Sequence, residues 1–67
     1  MNTVPFRCTY VQDEMIRDVK TAERVTLSFA SDEPGLWVSD LVMVFRNADH
    51  FGRFERHKIY SVDVTAQ

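Results

Sequence analysis

Two glycines, two prolines and one cysteine are all that this 67-residue sequence holds of the residues that most strongly shape a backbone or staple it. Each shortage excludes something. With so little glycine there is no loop able to cradle a phosphate, and no glycine-flanked serine elbow to present a nucleophile. Cys8 alone cannot form an intramolecular disulfide, and no His/Cys spacing suits a structural zinc. No apolar run approaches the ~18 residues that a membrane span needs. The first residues, Met1 to Arg7, lack a basic stretch followed by an apolar one. The expectation is therefore a cytoplasmic chain with no membrane association, no metal and no cofactor.

Bulky apolar residues, by contrast, are plentiful. Five Phe, two Tyr and one Trp lie in a chain that is 45% hydrophobic and 27% charged, which is not the composition of a disordered segment. Residues 1–67 read as a single domain, close to the lower size limit at which an unstapled core offsets chain entropy. A dimer sharing its core would relieve that shortage of buried area. Charge is unevenly placed: residues 1–40 carry a formal −3 and residues 41–67 a formal +1, giving an acidic and a weakly basic part.

Hydrophobic spacing points to strands. From Val4 to Val11, Phe6, Cys8 and Tyr10 alternate with Arg7 and Thr9, the period of a half-buried strand near a sheet edge. Gln12-Asp13-Glu14 reads as a polar turn. Residues 13–22 are ambiguous. Met15, Ile16, Val19 and Ala22, with acids ahead and bases behind, suit a short helix, yet the alternation of Val25, Leu27 and Phe29 extends back to Val19 as a strand. The strand is preferred, because so short a helix is marginal on its own. Glu33 to Leu36, with Pro34 and Gly35 at the centre, matches a type II turn.

From Leu36 to Phe45 both alternating faces are largely apolar, which predicts a strand at the middle of the sheet, or one that turns a face to a partner. A helix capped by Ser39 and ended by Gly52 ranks second, because the run is rich in β-branched valine. Asn47 to His50 is turn chemistry, and Ile59 to Val64 forms a last strand. Frayed ends are expected at Met1 to Thr3 and Ala66-Gln67. The fold class is thus all-β, a small antiparallel meander or SH3-like barrel of five to six strands, with α+β carrying one helix near residues 13–22 as the alternative.

For function, His50, His57, Asp49 and Glu55 are the only candidate acids and bases, with Cys8 and Ser39 as nominal nucleophiles. None stands in a recognisable motif, and a core this small can hardly enclose a pocket of roughly 300 Å³. No enzyme is expected. Cys8 reads as a small buried hydrophobe, the histidines as loop residues, and Trp37 as core or rim packing.

The segment from Phe45 to Tyr60 is more informative. Arg46, Arg53, Arg56 and Lys58, with His50 and His57, alternate there with Phe45, Phe51, Phe54 and Tyr60. Such a mixture serves single-stranded nucleic-acid platforms, where rings stack on bases and cations follow phosphates. Asp49 and Glu55 interrupt it. Its ordinary reading is a β-hairpin with Phe45, Phe54 and Ile59 inward and the four cations as its solvated face. Phe51, beside Gly52 and between basic residues, is expected at an exposed tip of the kind protein interfaces favour.

The favoured function is a non-catalytic protein-binding module, a small regulator, adaptor or inhibitor of the size phages and mobile elements encode. Its partner would be met by Arg46, His50, Phe51, Arg53, Arg56 and Lys58. A single-stranded nucleic-acid binder using residues 45–60 and a self-associating subunit paired through residues 36–45 are the alternatives.

Overall fold

The alternation that begins at Val4 runs on through the polar residues expected to turn the chain. In the computed structural model, which describes residues 3–67, strand β1 covers Thr3–Ile16 and β2 Val19–Phe29, followed by β3 at Leu41–Phe45 and β4 at Ile59–Asp63. A single 3₁₀ turn, Ala48–His50, lies between β3 and β4. The strands form one open antiparallel sheet in the order β3-β2-β1-β4. Strands make up 54% of the structure and helix 5%, so the all-β class holds. The barrel of five to six strands does not form, because β3 and β4 remain at opposite edges of the sheet.

The helical alternative for residues 13–22 gives way to a long hairpin. Asp13 pairs with Glu23, Glu14 with Ala22, and Ile16 with Val19. The reversal falls at Arg17-Asp18, not at Gln12 to Glu14. Both turn residues take positive φ, 49° and 66°, the type I′ geometry whose twist matches the flanking strands. Neither residue is glycine, which is why the turn is hard to see in the sequence.

Two threonines set the phase of this hairpin. Thr9 has no Cα partner between the pairs Cys8–Leu27 and Tyr10–Thr26, and Thr21 has none between Glu14–Ala22 and Met15–Lys20. Each is a β-bulge, and each hydroxyl bonds across the ladder: Thr9 Oγ1 donates to the Thr26 carbonyl at 3.4 Å and Thr21 Oγ1 to that of Glu14 at 3.1 Å. The first bulge shifts the inward position from Tyr10 to Val11, which pairs with Val25. Tyr10 is consequently exposed instead of sharing a face with Phe6 and Cys8.

The core lies on one face of the sheet. Phe6, Cys8, Val25 and Leu27 are buried on the two middle strands, flanked by Met43 and Phe45 on β3 and Tyr60 and Val62 on β4. Cys8 is the buried hydrophobe its spacing suggests, and burial raises its thiol pKa.

The apolar run from Leu36 departs most from expectation. Gly35 at φ 81° and the Leu36 N–H donating to the Glu33 carbonyl at 3.3 Å give the expected turn. Only Leu41–Phe45 is strand, however, and it pairs with β2 alone among the described elements. The middle of the sheet belongs to β1 and β2, whose long ladder outcompetes a five-residue strand. Trp37, expected in the core or its rim, is 80% exposed. At the ends, Thr3 pairs with Asp63, while the expected fraying at Met1 and Asn2 lies outside the described residues.

Replacing the turn by R17N/D18G should stabilise the protein by about 1 kcal/mol, since asparagine and glycine adopt positive φ with less strain. An upward shift of the urea midpoint at unchanged m-value checks this.

Candidate functional site

Arg46 to Lys58 is not the arm of a hairpin. It starts beyond β3 at one edge of the sheet and ends before β4 at the other, and its Phe54 packs on the core face. Its first turn is fixed locally, with Asn47 Oδ1 accepting the Asp49 N–H at 2.9 Å. Phe54 then stacks on Phe45 with centroids 6.1 Å apart, and meets Tyr60 edge to face at 4.8 Å. Tyr60 also accepts the Glu55 N–H at its hydroxyl, 2.7 Å away. The segment is a lid over the sheet. Phe45 and Phe54 point inward as expected, whereas Ile59 is exposed and Tyr60 takes its place.

The six expected contact residues divide accordingly. His50 and Phe51 are half-buried, His50 beside the Phe45 ring and Phe51 beneath the Lys20 ammonium, 4.6 Å from the ring centroid. Phe51 is therefore not an exposed tip. Arg46, Arg53, Arg56 and Lys58 are exposed. Of these, Arg56 lies over Tyr10 at 5.5 Å and Lys58 pairs with Glu55 at 2.7 Å. At the β4 end the lid continues the ladder: the His57 N–H donates to the Cys8 carbonyl, the Cys8 N–H to that of Lys58, and Arg7 Nη1 to that of His57.

Sequence reasoning missed the residue that anchors the other end. Glu23 sits at an inward position of β2 opposite Phe45 and is buried. Its carboxylate accepts from Lys20 Nζ at 2.6 Å and from the Gly52 N–H at 3.3 Å. Gly52 has φ 78°, a conformation glycine adopts freely, and it brings its N–H to the carboxylate. Lys20 reaches across to Asp13 as well, at 2.8 Å. These bonds to Asp13 and then Glu23 raise the Lys20 pKa. The only sequence signal is a charged residue in phase with the Val25-Leu27-Phe29 alternation, one step further back on the same inward face.

Several large apolar side chains stay outside the core. The β1–β2 hairpin projects past both neighbouring strands, and Met15, Ile16 and Val19 at its tip are 56, 63 and 61% exposed. The molecule is correspondingly elongated, 46 × 27 × 16 Å. Val42 and Val44 face outward from β3. Among the described residues no pocket forms, and no group of three or more His, Cys, Asp or Glu is placed to hold a metal. Nor, among the described residues, is any helix long and apolar enough to cross a membrane. Comparison with family models, with characterised proteins and with solved structures finds no match.

Glu23→Ala should destabilise the fold by about 2–3 kcal/mol, because it removes the charged acceptor that ties Gly52, and with it the lid, to β2 and takes one of its two acceptors from Lys20. Urea denaturation reads the loss, and hydrogen exchange should locate it at residues 47–54.

Stability should also fall at alkaline pH. The folded pKa of both Cys8 and Lys20 lies above its unfolded value, so the stability each adds is complete below the unfolded pKa and disappears as pH rises through the folded one. The Cys8 contribution should start to decline near pH ~8.5 and that of Lys20 near ~10.4. In urea midpoints taken from pH 7 upward, Cys8→Ala should remove the first decline and leave the second.

Proposed function

We propose that this chain is a non-catalytic protein-binding module, a small regulator, adaptor or inhibitor, and that its principal contact is the tip of the β1–β2 hairpin. The observation that carries the reading is the exposure of Met15, Ile16 and Val19 around the Arg17-Asp18 turn. A solvated ribbon end needs no apolar residues, and aqueous tips normally carry polar ones. Ile16 and Val19 are direct cross-strand partners, while Met15 neighbours Ile16 on the alternate side of the ribbon. A narrow ribbon apolar on both sides suits insertion into an apolar cleft of another protein, where a few buried large side chains supply most of the affinity.

The residues first expected to make the contact support it less well. His50 and Phe51 help close the lid, and two of the four cations already have partners in Tyr10 and Glu55. Arg46 and Arg53 fit the polar rim of an interface better than its centre. The nucleic-acid reading is likewise weaker, because Phe45, Phe54 and Tyr60, the rings that would stack on bases, stack on one another.

The test compares capture by the tagged wild-type chain with capture by I16K/V19K, both positions being exposed and free to vary without loss of the fold. A partner held by the wild type through moderate salt should be lost from the variant, with an unchanged thermal midpoint. Equal capture by both proteins would remove the hairpin from the contact. Tight, steeply salt-dependent binding of oligonucleotides would instead favour the nucleic-acid reading.

A further inference from the structure

Apart from its brevity, strand β3 lacks the sequence devices that normally protect a sheet edge. Leu41-Val42-Met43-Val44-Phe45 contains no charge, no proline and no glycine, and its register with β2 is free of bulges. One side of its backbone pairs with β2; the other, an open sheet edge, has no main-chain partner among the described residues. Val42 and Val44, on the face away from the core, are 54 and 37% exposed. The opposite edge is different: β4 contains Ser61 and Asp63 and follows a residue, His57, held at positive φ.

The flanking charges indicate what fits this edge. In an antiparallel ladder between two copies related by a twofold axis through Met43, Met43 faces its own copy, Val42 faces Val44, and Leu41 faces Phe45. The next position outward sets Asp40 against Arg46, and symmetry repeats that pair at the other end. Both residues are exposed.

A twofold axis normal to the sheet leaves each side chain on its original face, so the register can slip only in steps of two residues. One step in one direction sets Asp40 against Val44 and Arg46 against Val38. One step in the other sets Arg46 against Val42 and Asp40 against Ala48. Only the Met43-centred register pairs the charges, and it also pairs every apolar residue of the strand with another.

We propose that the β3 edge is a self-complementary docking surface for a second copy of this chain, joined antiparallel about Met43 into one continuous sheet with Asp40 and Arg46 closing both ends of the seam. Main-chain hydrogen bonds supply the attraction, as in other edge-strand additions, and the two ion pairs select the register. On the outer face Val42 and Val44 cover one another across the seam. On the inner face Met43 and Phe45 extend each core toward its neighbour. The inference is independent of the hairpin contact and requires only purified protein to test.

Sedimentation equilibrium should show a concentration-dependent dimer. D40R and R46D each replace both ion pairs by like-charge contacts and should raise the dissociation constant roughly tenfold. The double variant D40R/R46D should restore wild-type affinity. Mixing the two single variants should give a heterodimer preferred over either homodimer, because each supplies the charges the other lacks. Circular dichroism of each variant verifies that the exposed substitutions leave the sheet intact. A wild type that stays monomeric at millimolar concentration, or a dimer indifferent to charge reversal at Asp40 and Arg46, would overturn the proposal.

Discussion

Phe54, lodged between Phe45 and Tyr60, is the contact on which this fold depends. Phe45 ends one edge strand and Tyr60 lies on the other, so one ring from the lid ties together the two sides of the sheet. A single four-stranded sheet has only one face to bury, and without a second layer that face would remain wet. The described residues provide no α-helix and no second sheet. It uses the segment between β3 and β4 instead, holding it by the aromatic stack in the middle, by Glu23 at the β3 end and by the ladder bonds of His57 and Lys58 at the other. The buried carboxylate is tolerated because an ammonium and a backbone N–H supply its hydrogen bonds.

That arrangement explains which parts of the fold were legible in the sequence. The alternation of Phe6 and Cys8 and of Val25, Leu27 and Phe29 reports directly on the buried face, and Pro34-Gly35 reports on its turn, because in each case local geometry alone decides the outcome. Gln12 to Glu14 misled because they look like a turn, yet they lie beyond the reach of β4 at the free side of β1 and pair in mid-ladder with Arg24, Glu23 and Ala22. The true turn at Arg17-Asp18 adopts positive φ without glycine, so the usual mark is absent. Leu36 to Phe45 misled for the converse reason. Apolarity on two faces implies burial on two sides only in a central strand, whereas this strand is an edge with its outer valines in solvent. Of the expected site, the division into inward rings and outward cations was legible from residue type. The half-burial of Phe51 was not, since it depends on Lys20 crossing from a distant hairpin.

A one-faced sheet also leaves a characteristic remainder. Once the lid has covered the inner face, the apolar residues still exposed cluster at the hairpin tip, at Leu36 and Trp37 on the Ala30–Asp40 connection and along β3, with Tyr10, Ile59 and Val64 exposed elsewhere. The tip and the β3 edge differ in kind. At the tip backbone pairing is complete and only side chains are offered, which suits a pre-formed cleft. At the edge the backbone itself has no partner among the described residues, which suits another strand. These demands are chemically distinct: side chains seeking a cleft at the tip, a backbone seeking a strand at the edge.

The two surfaces are nevertheless linked by geometry. The hairpin runs beyond β3 on the Phe45 side, since β2 continues past Glu23, the partner of Phe45, to Val19. A twofold axis through Met43 reverses the strand direction of the second copy and would carry its hairpin to the opposite end of the seam. The joined sheets would then present two apolar tips pointing away from each other, too far apart to meet in one cleft. Such an assembly would bridge two partner molecules, or two sites on an extended one, and its apparent affinity for a repeated partner would exceed that of a single tip without any new contact. The short edge strand would thereby govern how firmly the hairpin binds while touching nothing that the hairpin touches.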